Sequence, residues 1–107
     1  MIEVIKAKVG GAELLAELAE EAVELAHAAL KLRRVIDGKN PTPVNLGDAF
    51  DNLEEEVADV LVCLEVLGYD LKELLRYRAM MDAKLARWAA RLSATTPGTR
   101  EENAKED

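Results

Sequence analysis

Cysteine occurs once, at Cys63, in 107 residues, so no intrachain disulfide framework can brace the fold. It stands in the apolar run Val60-Leu61-Val62-Cys63-Leu64, where a lone cysteine reads as a small buried apolar residue and suits a reducing compartment. Aromatic residues are only 4% of the chain, and Ala and Leu carry much of the apolar content, which disfavours a β-sandwich and favours closely packed helices. Basic residues are too few: a net charge of −7 argues against a nucleic-acid partner, because phosphate backbones need a basic surface. A small phosphorylated ligand remains compatible with that charge, since metal ions can screen carboxylates from phosphates. No apolar run reaches the ~18 residues of a membrane span. The segment Met1-Ile2-Glu3-Val4 lacks the basic stretch and long apolar core of a signal peptide, so a cytoplasmic location is expected.

Half of the residues are apolar and a third are charged, a globular balance rather than a disordered one. The length suits one domain, and a chain this small gains from extra burial by self-association. Leu14, Leu15, Leu18, Ala22, Leu25, Ala29 and Leu32 recur at three- and four-residue steps, which predicts a helix from about Ala12 to Ile36, ending at Asp37-Gly38. Residues 37–47 hold Pro41, Pro43, two Asn and two Gly and read as a loop. A second helix is expected from Asp48 or Asp51 through Leu67, ending at Gly68. Asp70 and Glu73 have the spacing of a capping box for a third helix, continuing to about Leu92. The segment Ile2 to Val9 would add a short element, and residues 93–107 read as a disordered tail. The expectation is an all-α fold: one domain over residues 1–92, with three main helices in a bundle that a partner subunit completes.

The first helix carries Glu17, Glu20, Glu21 and Glu24, and the second carries Glu56 and Asp59. Glu21 and Glu24, like Glu56 and Asp59, are three residues apart and share a helix face beside an apolar stripe. If the stripes pack together, the four acids meet, repel and raise one another's pKa unless a cation lies between them. Hard oxygen donors in this number suit Mg²⁺ or Mn²⁺. The plainer alternative is a solvated acidic face, as Glu-rich helices often have. Asp59 weighs against it: it heads the segment Val60-Leu61-Val62, and an acid carried into an apolar packing surface needs a partner.

Glu20-Glu21-Ala22-Val23-Glu24, followed by Glu56-Val57-Ala58-Asp59, resembles the EExxE…ExxD signature of MazG-type nucleotide pyrophosphohydrolases of the all-α NTP pyrophosphatase superfamily. The stretch Asn52 to Val60 is especially similar to small phage and bacterial members, and Asp82-Ala83-Lys84-Leu85-Ala86-Arg87 looks like the family's Asn-x-Lys-x-x-Arg segment, with Asp82 in place of the common Asn. The interval from Leu25 to Glu55 is longer than in many members. The resemblance spans roughly Leu14 to Leu92. It implies hydrolysis of an NTP or dNTP to the monophosphate and pyrophosphate, with Mg²⁺ (or Mn²⁺) held by Glu21, Glu24, Glu56 and Asp59. Glu21, with Glu20 second, is expected nearest the attacking water, and Lys84 and Arg87 would contact the substrate phosphates. A homodimer or homotetramer is also implied.

Lys31, Asn52, Asp82 and Trp88 are further candidates for substrate contact. Trp88 has core or interface packing as its ordinary alternative. Glu24-x-x-His27 has the spacing used in di-iron bundles, but those need two such motifs and this chain has one histidine. His27 is therefore expected as a residue at the boundary between core and solvent or as a donor to a carboxylate. Two rival functions stay open on the residues alone: a non-catalytic helical interaction module, and a nucleotide sensor that does not cleave.

Overall fold

In the computed structural model the described residues are 1–38, 44–70, 72 and 75–94. They form four α-helices and no strand: α1 (Ile2–Lys8), α2 (Gly11–Asp37), α3 (Leu46–Val66) and α4 (Leu75–Ala94). The all-α class expected from composition and periodicity is therefore observed. No helix among the described residues is long and apolar enough to cross a membrane. The chain divides into two compact units, Met1–Asp70 and Leu71–Asp107.

In the first unit α2 packs along α3, and α1 touches α3. α2 is continuous because no Gly or Pro interrupts its Ala-, Leu- and Glu-rich sequence after Gly11. It stops at Gly38, which takes the left-handed conformation (φ 66°) while its N–H donates to the Arg34 carbonyl at 2.9 Å. α3 ends in the same way. Gly68 has φ 99°, and the N–H of Tyr69 reaches back to the Leu64 carbonyl at 2.9 Å. Both glycine stops stand where the sequence places them.

The start of α3 differs from expectation. The helix begins at Leu46 rather than at Asp48 or Asp51, because Asn45 is its N-cap. The Asn45 side-chain oxygen accepts from the Asp48 N–H at 2.8 Å, and Asn45 Nδ2 donates to Asp48 Oδ2 at 3.0 Å. The first bond caps the helix and the second holds the Asn45 side chain against Asp48, which stands in the third helical position instead of at the boundary. α4 begins at Leu75 and extends to Ala94, so Ser93 and Ala94 belong to the helix and not to a tail. Glu73 of the expected capping box, Asn40 and the prolines of the 39–43 loop, and residues 95–107 lie outside the described residues.

The α2–α3 contact is a seam with heptad steps. On α2 it uses Leu14, Leu18, Glu21, Leu25, Ala28 and Leu32; on α3 it uses Ala49, Leu53, Glu56, Val60, Cys63 and Leu67. Every one of these residues is buried or half-buried, and in each set the steps alternate four and three. The grooves beside the seam pair residues 24–34 with 52–56 and residues 14–21 with 59–66, so the two helices run antiparallel. The most buried members are small: Ala28 is 2% exposed and Ala49 1%, which lets the helices approach closely at the end nearest their connection.

Two consequences can be measured by chemical denaturation. Asn45→Ala removes the side-chain acceptor of the α3 cap and should cost about 1 kcal/mol. Leu32→Ala, in the buried part of the seam, should cost about 2–5 kcal/mol, because the cavity it leaves adds to the lost burial.

Candidate functional site

Each seam is apolar except at one position, and that position is a glutamate on both helices: Glu21 on α2 and Glu56 on α3. Placed there by the heptad spacing, both side chains are half-buried. Asp59, one turn beyond Glu56, is more exposed and completes a group of three. Glu21, Glu56 and Asp59 each offer a carboxylate oxygen, and the three oxygens lie within 4.8 Å of one another. Glu20 and Glu24, both exposed, lie outside that group. Glu24 remains coupled to it, because its charge acts on Glu56.

Among the described residues no basic side chain pairs with the group. The ion pairs Met1–Glu3, Arg33–Asp37 and Arg78–Asp82 all lie elsewhere. The electrostatic consequence is a raised pKa at both seam glutamates. Desolvation pushes Glu21 up first, followed by the charges of Asp59, Glu17 and Glu56 and a carboxyl–carboxyl hydrogen bond with Glu17. Glu56 is raised by desolvation, then by Asp59, Glu24 and Glu55, with a hydrogen bond to Asp59 favouring its protonated form. The Cys63 thiol is likewise pushed up, by burial first and then by Glu21, Glu17 and Asp59. That holds it in the neutral form and makes it a poor nucleophile. Its place in the buried seam agrees with the apolar role read from its sequence context.

Two grooves flank the acids on the first unit. The one toward the α2–α3 connection has a volume of about 380 Å³ and is lined by Glu24, His27, Lys31, Arg34, Asn52 and Glu56, among others. The one toward the other end has about 290 Å³ and combines apolar walls, Ile5, Leu14, Val62 and Val66, with Glu17, Glu21 and Asp59. Of the residues singled out from the sequence, Lys31 and Asn52 are thus brought beside Glu24 and Glu56. Arg34 and His27 join them without having been assigned to a ligand. The signal for Arg34 was its spacing: His27, Lys31 and Arg34 follow one another at steps of four and three, and Glu24 lies one turn before His27.

On the second unit, Lys84 lines a groove of about 430 Å³ with Met81, Leu85 and Trp88. Arg87 is exposed on the same helix. Asp82 is engaged by Arg78, whose Nε lies 3.2 Å from its carboxylate.

The raised glutamates give a pH dependence with a definite sign. In the folded chain Glu21 and Glu56 hold their protons more tightly than in the unfolded chain. The stability linked to those protons is fully present below the ordinary glutamate value of 4.5 and is lost as pH rises through the raised values. Without added metal, thermal melts should therefore show this contribution weakening as pH climbs above 4.5. Glu56→Gln should flatten the trend and raise the melting temperature at neutral pH, since it removes one of the mutually repelling charges. A neutral-pH melting temperature lowered by Glu56→Gln would contradict the repulsion.

Compared with protein-family models, with curated proteins and with solved structures, the chain matches none of them.

Proposed function

We propose that the chain is a MazG-type, divalent-metal-dependent nucleoside triphosphate pyrophosphohydrolase. The observation that carries this reading is the convergence of Glu21, Glu56 and Asp59 from two helices, with oxygens within 4.8 Å of one another and both glutamates in seam positions. Two apolar side chains there would pack better, so a cost in stability is retained for something other than folding. The acidic spacing Glu20-Glu21…Glu24 and Glu56…Asp59 points the same way.

The donor set fits a hard cation: carboxylate oxygens only, several of them, at half-exposed positions that solvent reaches. Glu21, Glu56 and Asp59 would hold it, with Glu24 as the fourth donor. A bound Mg²⁺ or Mn²⁺ supplies charge neutralisation for the triphosphate and polarises the α-phosphorus. The remaining work falls to the protein. A water attacks the α-phosphorus, the bond from that phosphorus to the α–β bridging oxygen breaks, and a monophosphate and pyrophosphate leave. A Glu21 carboxylate oxygen accepts the proton of that water. Glu20, exposed on the adjacent position, is the second choice for that role. Lys84 and Arg87 keep the phosphate-contacting role that the resemblance gives them.

A homodimer or homotetramer belongs to the same reading. Besides its seam, α2 carries a second apolar stripe in which Leu15, Val23 and Leu30 are each more than half exposed. On α3, Val62 is 55% exposed and Val57 and Leu61 are 40% exposed. Apolar surface of this extent marks an interaction face, and a second copy of the chain is the occupant proposed. Light scattering should give a multiple of the 11.7 kDa chain mass. A monomer at working concentration would remove this part of the proposal.

The decisive assay is chromatography of the products from a panel of NTPs and dNTPs with Mg²⁺. Monophosphate and pyrophosphate are expected, and stepwise orthophosphate release would contradict the assignment. Glu21, Glu24, Glu56 and Asp59 should act as one unit, so Glu56→Gln or Asp59→Ala should lose most of the rate. Lys84→Ala should weaken substrate binding, the rate or both. A nucleotide sensor would bind without turnover, and an interaction module would keep its partner when Asp59 is replaced.

A further inference from the structure

Glu56 belongs to two structures at once: the three-carboxylate group, and the groove that runs from it toward the α2–α3 connection. Along that groove the lining changes sign. After Glu24 and Glu56 come His27, Lys31 and Arg34 from α2, and Asn52 from α3. Lys31, Arg34 and Asn52 are half-buried and His27 is exposed, so polar side chains from both helices line an open groove that solvent reaches.

The two cations are also unpaired. The chain has 21 acidic residues against 14 basic ones, yet among the described residues neither Lys31 nor Arg34 makes an ion pair, even though Glu24 and Glu56 line the same groove. The neighbouring Arg33, by contrast, holds Asp37 at 3.5 Å. Two like charges lining one groove repel each other, and an anion seated between them would relieve that repulsion. The donor inventory is a guanidinium fork, an ammonium, an amide and an imidazole N–H, which together suit tetrahedral oxyanions. The opposite groove has no described cation in its lining, only apolar walls and acids.

We propose that the groove lined by His27, Lys31, Arg34 and Asn52 is the seat of the substrate's terminal phosphates, so that a triphosphate lies along α2 with its leaving pyrophosphate directed toward the α2–α3 connection. Its place in catalysis rests on the pyrophosphohydrolase reading above, but a polyphosphate-binding groove stands or falls by itself. Arg34 grips two phosphate oxygens through its fork, Lys31 supplies a point charge between them and the acids, and Asn52 donates from the facing helix. The groove thereby divides the labour: the acids serve the bond that breaks, and the cations hold the group that leaves.

The test is calorimetric titration of the full chain with inorganic tripolyphosphate, in one arm with Mg²⁺ and in the other with EDTA, beside a steady-state assay on an NTP. Wild type should bind tripolyphosphate in at least one arm, and Lys31→Gln and Arg34→Gln should each weaken it by about tenfold or more. Both variants change groove side chains outside the buried seam; a melting curve like that of wild type confirms folding, and Arg34→Lys serves as a milder replacement for any variant that melts early. In the assay the same variants should raise KM more than they lower kcat. Absence of tripolyphosphate binding in both arms, or equal binding by wild type and both variants, overturns the seat. Binding that the variants weaken, without any pyrophosphate release from NTPs, would leave the seat standing and remove the hydrolase reading. Pyrophosphate release with an unchanged KM in both variants would do the reverse.

Discussion

The interaction on which the first unit depends is the packing of α2 against α3, and the constraint on that packing is a pair of glutamates set into its seam. An antiparallel pair of helices with heptad contacts is stabilised by apolar side chains at every contact position. Here Glu21 and Glu56 take one position each, between a buried group near the connection (Ala28, Leu32, Ala49) and another toward the far end (Cys63, Val66). Moving the helices apart would relieve the acids only by opening both apolar groups. The repulsion is therefore held in place by the fold, and it shows as the raised pKa of both glutamates.

From that constraint the polarity of the site follows. Antiparallel packing gives the acids two unlike neighbourhoods. Toward the connection, α2 presents His27, Lys31 and Arg34; toward the other end, α1 and the start of α2 present Ile5 and Leu14. A ligand that is anionic at one end and uncharged at the other finds complementary surroundings in one orientation only. Such an arrangement selects by opposing the wrong orientation as much as by favouring the right one, since phosphates turned the other way would meet acids with no described cation among them.

How much of this was legible in the sequence varies by element. The span of α2 and the stops at Gly38 and Gly68 could be read directly, because apolar periodicity and glycine chemistry are local signals. The start of α3 was misplaced because the acids Asp48 and Asp51 looked like boundary residues, while the true cap, Asn45, sits in a run that otherwise reads as loop. The acidic pairs were legible as spacing, but spacing could not separate Glu24 from Glu21. The distinction comes from the seam: Glu21 falls on the contact line and Glu24 beside it. That line could have been found by testing heptad steps through Leu14, Leu18, Leu25, Ala28 and Leu32 and noting the single acid among them. For Arg34 charge alone suggests solvent, and only its register with His27 and Lys31 points to the groove that it lines.

Protons and cations compete for the same carboxylates, and this couples the proposed chemistry to the fold. A proton on Glu21 or Glu56 relieves the repulsion, as a divalent cation would, but a protonated carboxyl is a poor ligand and cannot accept a proton from water. Below the raised pKa values the fold is therefore favoured at the expense of the site. Above them the acids are ionised and repel, and the fold carries a strain that cation binding would release. The apolar groups on either side of the acids keep the helices paired through that change, so the carboxylates remain gathered when ionised. Additional apolar residues at positions 21 and 56 would strengthen the helix pair while removing the feature for which the proposed function needs it.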